Sequence, residues 1–530
     1  MKKRTIVALL ALAFVSCISR IERDPGILVR NLMDDPAHLN PYTNTSAYAS
    51  QVYAYIYESL LVADNTTLAP KPWIATSWEV SPDGLSYTFH MRHDVTWSDG
   101  KPLTADDVLF SVETMMNPKV DAAAQRSGYK DLDHVEKIDD YTVRFVFKRL
   151  NFRAFEMAGY LTIIPKHVFG DGHDFNTHPA NFSPIGSGPF VLAGWERGRY
   201  VNLRRNDQYW NHEHLPRLKG IQYVIIPDSN TSFQYLKKGG MDYSDNLRSV
   251  QWVRQTESAK FKERFKKYKF FPPGLAYIGW NEKKPFFADR RVRQAMTMML
   301  DRQKIVDKLQ YGQAMLVSGP GYYFGVSYDR SIQPWPYDSK RAVQLLDAAG
   351  WIDHDGDGIR DKDGVPFRFE LVYGSGSPTG DRVGTILRED LSQIGIDMTP
   401  RPLEFSALIK MILAKDFDAT FLGWSGGFPE SDHYQLFHSS QIDGGSNNIS
   451  FSNKEADRLM EQIRATIDPN KRKELHYMLH ALLHEEEPYT FVYLPPALAA
   501  VDRRFTDVTA YPMGFDITEW GFKPVLRYME

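Results

Sequence analysis

Trp351 to Gly364 reads WIDHDGDGIRDKDG, with five aspartates within eleven residues. Carboxylates that alternate ahead of a glycine are how an oxygen-ligand loop for calcium begins. With Asp353 as position 1, Asp355 and Asp357 fill 3 and 5, Gly358 takes the turn at 6, and Asp361 fills 9. Position 12 is Gly364, where an EF-hand needs a bidentate glutamate. Ile359 stands one place early for the apolar residue, and the strand pattern FRFELVY follows instead of a helix. An EF-hand is therefore excluded. A structural calcium on Asp353, Asp355, Asp357 and Asp361 stays open, against an acidic solvated turn partly offset by Arg360 and Lys362.

Other reactive groupings are sparse. No nucleophile elbow, Walker loop, zincin pair or dinucleotide fingerprint is present. Gly374-Ser375-Gly376-Ser377-Pro378 lacks the closing glycine of an elbow and reads as a strand-to-helix loop. His476, His480 and His484 recur every four residues on one predicted helix. The outer two lie about 12 Å apart along the axis, so one ion cannot take all three. Flanking Lys and Glu predict a solvated face there. A Ser/His/Asp site without a local motif keeps a secreted hydrolase open as an alternative.

The elements that must position any site belong to a long chain. At 530 residues, two or three domains are expected. Lys2, Lys3 and Arg4 precede an apolar run, Thr5 to Val15, too short to span a bilayer. Ser16 and Cys17 close it, which predicts a signal segment (residues 1–16) and lipid attachment at Cys17. Ordinary cleavage is the alternative, because Phe14 replaces the usual aliphatic residue. Of 63 Lys and Arg, three lie in that segment, so 60 basic residues face 66 acidic ones, a net −6. That balance argues against a nucleic-acid partner, for which a basic face would be expected. A single cysteine leaves no internal disulfide, so packing must hold the fold.

Ser81-Pro82-Asp83-Gly84 is a strong turn, and Tyr87, Phe89 and Met91 alternate after it as a half-buried strand. Thr104 is a good N-cap with Asp106 and Asp107 behind it. Helices are expected within QVYAYIYESLL (51–61), from Arg290 to Tyr311, from Arg382 to Ile394 and from Pro469 to Glu486. Pro272-Pro273 and Pro495-Pro496 bound a large βα-rich block. Proline pairs make stiff extended connectors, and two of them bounding one block suggest an inserted domain with a hinge.

Ile74 to Glu113, IATSWEVSPDGLSYTFHMRHDVTWSDGKPLTADDVLFSVE, resembles the signature of the family 5 extracellular solute-binding proteins, the dipeptide/oligopeptide type that feeds ABC importers. SPIGSGPFVL with RNDQYW (183–210), YIGWNEKKPFFADRRVRQAM (277–296) and GSNNISFSNKEADRLM (445–460) resemble further landmarks in order. The resemblance implies an α/β, two-lobe periplasmic-binding-protein fold (type II, cluster C-like) with three domains and a hinge. Domain I would comprise 24–45, 185–273 and 495–530, domain II 46–184, and domain III 274–494. The function implied is peptide capture outside the cytoplasm by hinge closure, by a lipid-anchored monomer without enzymatic activity that delivers to a membrane permease. Asp83, Gly84, Trp97, Asp99, Gly100 and Asp107 of the signature are explained by turns and a cap.

The resemblance also implies two ligand-facing segments, Thr45-Ser46-Ala47 and Gly423-Trp424-Ser425. Peptide-binding members carry, three residues after this Trp, an aspartate that pairs with the ligand's amine. Here that position is Gly427, and the next acids are Glu430 and Asp432, which become the candidate amine anchors. The departure keeps other cargo open: an oligosaccharide, an opine-like compound or a metal chelate. A ligand-sensing receptor is a further alternative.

Overall fold

The computed structural model describes residues 22–426, 430–524, 527 and 528. Residues 1–16, Cys17 and Gly427 lie outside them. Three sheets organise the chain. A seven-stranded sheet has the order Phe265–Phe270, Ala497–Asp502, Tyr243–Ser244, Ile27–Leu32, Gly220–Ile225, Tyr200–Arg205, Phe190–Glu196. A four-stranded antiparallel sheet is built from Ala75–Val80, Ser86–Met91, Thr142–Phe147 and Leu132–Asp139. A five-stranded mixed sheet runs Asp397–Leu403, Arg368–Gly374, Ala419–Ser425, Gly274–Trp280, Tyr489–Tyr493.

Local chemistry accounts for the first hairpin. Gly84 takes φ +72°, its N–H donates to Ser81 O at 2.9 Å, and the Asp83 carboxylate accepts from Leu85 N at 3.0 Å. Tyr87, Phe89 and Met91 then face the core together. Asp107 is buried because it closes two helix starts, accepting from Thr104 N and Lys166 N at 2.9 Å each.

One core runs through the seven- and four-stranded sheets, joining Leu28, Tyr223 and Val501 to Phe89 and Phe145. The five-stranded sheet keeps its own cores, one on each face. Ile278 and Trp280 point into one, Leu275 and Tyr277 into the other, as a strand's two-residue period requires. The molecule thus has two lobes. The chain crosses between them twice, from Phe270 to Gly274 through Pro272-Pro273 and from Tyr493 to Ala497 through Pro495-Pro496. The joined strands are neighbours in the seven-stranded sheet and again in the five-stranded one, so the crossings run side by side.

Three helices differ from expectation. The run from Arg290 breaks after Met299: Leu300 turns extended (ψ 109°), and Asp301 caps a second start, accepting from Lys304 N at 2.9 Å. The break lets buried Arg302 donate to Phe491 O in the sheet at 2.8 Å. The helix expected within 51–61 instead spans Ala47–Tyr53. Past it, the backbone of Tyr55 and Ile56 is engaged by Phe190 N and Gly188 N (3.1 and 2.8 Å). A Cβ at Gly186 would lie only 1.9 Å from Ile56 O, which explains the glycines of SPIGSGPF. The third helix, expected from Arg382 to Ile394, starts earlier, at Pro378 behind the cap Ser377. The helix Pro469–Glu486 has its predicted ends.

Candidate ligand-binding site

A cavity of about 590 Å³ opens between the lobes. One wall comes from the four-stranded unit, with Tyr129, Asp131, Arg153, Glu156 and Tyr160. The other comes from the five-stranded lobe, with Gly274, Trp424, Ser425, Asp432, His433 and Tyr489.

Trp424 is set by its strand. Register pairs Gly423, Trp424 and Ser425 with Ala276, Leu275 and Gly274. The indole stacks on Tyr277 (6.0 Å between centroids, 8° between planes), which in turn stacks on Tyr489 at 4.0 Å. On the strand's other side, parallel pairing with Leu371–Tyr373 ends at Phe421. From Leu422 to Ser425 that side has no strand partner among the described residues. Gly423 and Ser425 are exposed. An open edge of this kind presents backbone donors and acceptors to an incoming extended chain.

Thr45, Ser46 and Ala47 do not line the cavity. They form the start of the helix Ala47–Tyr53, where Ser46 Oγ accepts from Tyr48 N at 3.2 Å. Glu430 and Asp432 are each taken by an arginine. Asp432 holds Arg464 through 2.9 and 2.6 Å bonds. Glu430 accepts from Arg472 Nη2 at 2.9 Å and also from Arg472 Nε, with His476 Nε2 at 3.2 Å. Burial opposes ionisation of Glu430, yet His476 and Arg472 hold its carboxyl down at about 2. Neither acid stands ready for an ammonium without first giving up its arginine.

The histidine helix corrects the sequence expectation. His476 and His480 are buried, not solvated. His480 Nδ1 accepts from Asp329 N at 3.1 Å, so its Nε2 faces Ser318 Oγ (3.2 Å) as donor. His484 Nδ1 donates to Ser318 O at 2.9 Å and stacks on Trp335. His480 and His484 together fasten the Ser318 loop to the helix, while His476 turns to Glu430, so the three rings do not form a chelate. Burial pushes His480 down to about 4 and His433, in the cavity wall, to about 3.

The wall from the four-stranded unit carries residues that sequence reasoning missed. Phe152 N donates to Arg464 O at 2.9 Å, across the lobes. Its ring meets the Arg472 guanidinium (4.7 Å to the centroid) and the edge of His476. Arg153 Nη1 lies 3.4 Å from Glu430 O. Lys130 and Arg464 both stand over Tyr434, at 5.3 and 3.7 Å. Only the tertiary meeting of lobes gives these residues a common place.

Among the described residues, two clusters bring together groups that could ligate a metal. Asp353, Asp355 and Asp361 converge, while Asp357 instead turns to Arg368 at 3.7 Å. Asp353 already accepts from Gly356 N and Gly358 N (2.7 and 3.0 Å), and Asp361 from His354 N (2.8 Å). Asp171, His173 and His178 also converge. There Ala180 N donates to His178 Nδ1 at 3.0 Å, so neutral His178 carries its proton on Nε2, facing Asp171 (3.2 Å). That proton removes the lone pair a metal would need.

Residues 69–445 match the family described as bacterial extracellular solute-binding proteins, family 5, middle region. The oligopeptide-binding protein AppA of Bacillus subtilis is 33% identical, over 93% of this chain and 91% of its own. Heme-binding protein A of Haemophilus influenzae is 27% identical, over 91% and 88%. The structure of Bacillus subtilis AppA in complex with a nonapeptide superposes with a TM-score of 0.82 at 31% identity, covering 95% of this chain and all of that one. The mixed α/β architecture is the expected type II periplasmic-binding-protein fold. With residues 69–445 matched by the family model and a relative 33% identical over 93% of this sequence, the chain belongs to the family 5 bacterial extracellular solute-binding proteins.

Proposed function

We propose that this chain is the substrate-capturing component of an ABC importer and that it takes up peptides outside the cytoplasm. The observation that carries the reading is the open edge from Leu422 to Ser425, whose end, Trp424 and Ser425, lines the cleft between the lobes. A peptide backbone can add to that edge as a strand, which binds chain without reading its sequence. Relatives named for oligopeptides and dipeptides, and the AppA–nonapeptide complex, support the same cargo. Gly423, Trp424 and Ser425 carry this reading; Thr45 to Ala47 enter it through the family resemblance.

The finer assignments are part of the proposal. Domain I (24–45, 185–273, 495–530) with domain II (46–184) forms one lobe and domain III (274–494) the other. Paired crossings at the two Pro-Pro connectors act as the hinge, and ligand shifts an open–closed equilibrium. The closed monomer, anchored through lipid on Cys17, docks on a permease. Capture involves no covalent chemistry. Mass spectrometry of ligand released from gently purified protein is expected to show peptides. A non-peptide organic solute as the sole released species would overturn the peptide reading.

A further inference from the structure

Asp131, Glu156 and Asp432 line the cleft, Glu430 neighbours them, and three of these four carboxylates accept hydrogen bonds from an arginine. Asp131 accepts from Arg149 Nε at 2.8 Å, Asp432 from Arg464, and Glu430 from Arg472. Glu156 differs. It lies on the short helix Ala154–Gly159, lines the cavity, and is mostly buried. Its Oε2 accepts no hydrogen bond among the described residues. Arg153 Nε stands 3.0 Å away as an ion-pair contact. That guanidinium is shared, since its Nη1 also faces Glu430 O.

A buried carboxylate oxygen without a donor is costly, and in an enclosed cavity a ligand can supply the donor. The complement is a compact cation with several N–H groups. Ser425 and Gly426, the end of the open edge, line the same cavity as Glu156. A strand laid on that edge therefore ends in the space this carboxylate faces.

We propose that Glu156 accepts the primary ammonium at the amino end of the ligand, making it a specificity-determining residue of the lobe opposite the open edge. This rests on the peptide reading above. The short helix positions the carboxylate, and closure brings it against a chain held by the other lobe. Burial, opposed by Arg153, raises the Glu156 carboxyl above its ordinary range. Ammonium binding therefore weakens on acidification, as the carboxyl protonates.

The test uses the full-length protein stripped of ligand and two equimolar pools of randomised pentapeptides, one with free and one with acetylated amino ends. Wild type is expected to capture the free pool at least tenfold better. Glu156→Gln is expected to abolish that preference while leaving the melting transition in place, and Glu156→Asp to restore part of it. A preference retained in Glu156→Gln overturns the assignment and leaves peptide capture standing. Equal capture of both pools by wild type does the same. If wild type captures neither pool, peptide capture falls and this inference with it. If Glu156→Gln does not fold, the wild-type preference is read against pH: loss on acidification supports the assignment, and a flat profile down to pH 4 overturns it.

Discussion

The two walls of the cleft are built on different principles. The wall from the five-stranded lobe offers backbone, Leu422 to Ser425, backed by the Tyr277–Trp424 stack. Its charges, Glu430 with Arg472 and Asp432 with Arg464, are already paired to one another. The wall from the four-stranded unit offers side chains from one short helix and its two ends, Arg153, Glu156 and Tyr160. Backbone edges bind any extended chain, and side chains choose among them. The proposed function thus puts generic grip and selection on opposite lobes, so that a ligand would meet both only when the lobes approach.

The comparison breaks most severely if the grip wall loses its internal pairing. Arg472→Ala leaves the largely buried Glu430 carboxylate with His476 as its one remaining side-chain hydrogen-bond partner among the described residues. Removing one partner of a buried pair costs about 3 kcal/mol or more. Denaturant unfolding should show that loss, and adding Glu430→Gln should recover much of it. An unchanged midpoint in Arg472→Ala would mean that the pair contributes nothing.

Phe152 is where the walls touch away from the ligand. It does not line the cavity, yet its ring caps Arg472 and meets His476. Phe152→Ala should cost closure about 1–2 kcal/mol. That converts to roughly five- to thirtyfold weaker ligand binding. Small-angle scattering of the unliganded variant should show a larger radius of gyration than wild type. Identical curves with identical affinity would remove Phe152 from the closure mechanism.

How much of this was legible follows from the range of each signal. The hairpin at Ser81–Gly84, the cap at Thr104 and the Pro-Pro crossings are set by neighbours in sequence, and they read directly. The helix from Arg290 looked continuous because its break serves Arg302, whose acceptor is in a strand almost two hundred residues on. The histidine helix carries Lys and Glu at intervals, which hid a buried stripe that receives loops from 318 and 329. Glu156, three residues after Arg153, reads in sequence as an exposed helical ion pair. Only the facing lobe turns it into part of a cavity. Gly427 marked a departure from the family pattern, and the candidate anchors nearest it in sequence, Glu430 and Asp432, are bonded to Arg472 and Arg464, which only the fold shows.

His433 sharpens the comparison through pH. Burial first, then the neighbouring His476, pushes its ring down to about 3, while Asp432 opposes. Between about pH 3 and the ordinary value near 6.5, the unfolded chain binds a proton that the folded ring refuses. Its contribution to stability is therefore present above pH 6.5 and is lost as pH falls through that window, by up to about 1.4 kcal/mol per unit. His433→Asn should flatten the dependence of unfolding free energy on pH between 6.5 and 4 by that amount. Superimposable slopes would show that the ring is protonated in the folded cleft.

The smallest effect is expected in the loop with the most conspicuous sequence. The Asp353–Asp361 carboxylates lie outside the cleft and bond to their own turn: Gly356 N, Gly358 N and His354 N fill positions a cation would contest. Asp357 faces Arg368. Calcium would have to displace several of these bonds with few strong ligands in return. A loop of that quality has a dissociation constant no tighter than about 1 mM. At 1 mM ion the linked stabilisation is then at most about 0.4 kcal/mol. For a chain of this length that moves the melting temperature by less than about 1 °C. Melting in 1 mM calcium and in excess chelator should coincide within that margin. A larger shift, abolished by Asp353→Asn, would make the loop an ion-stiffened turn whose stability is set apart from that of either cleft wall.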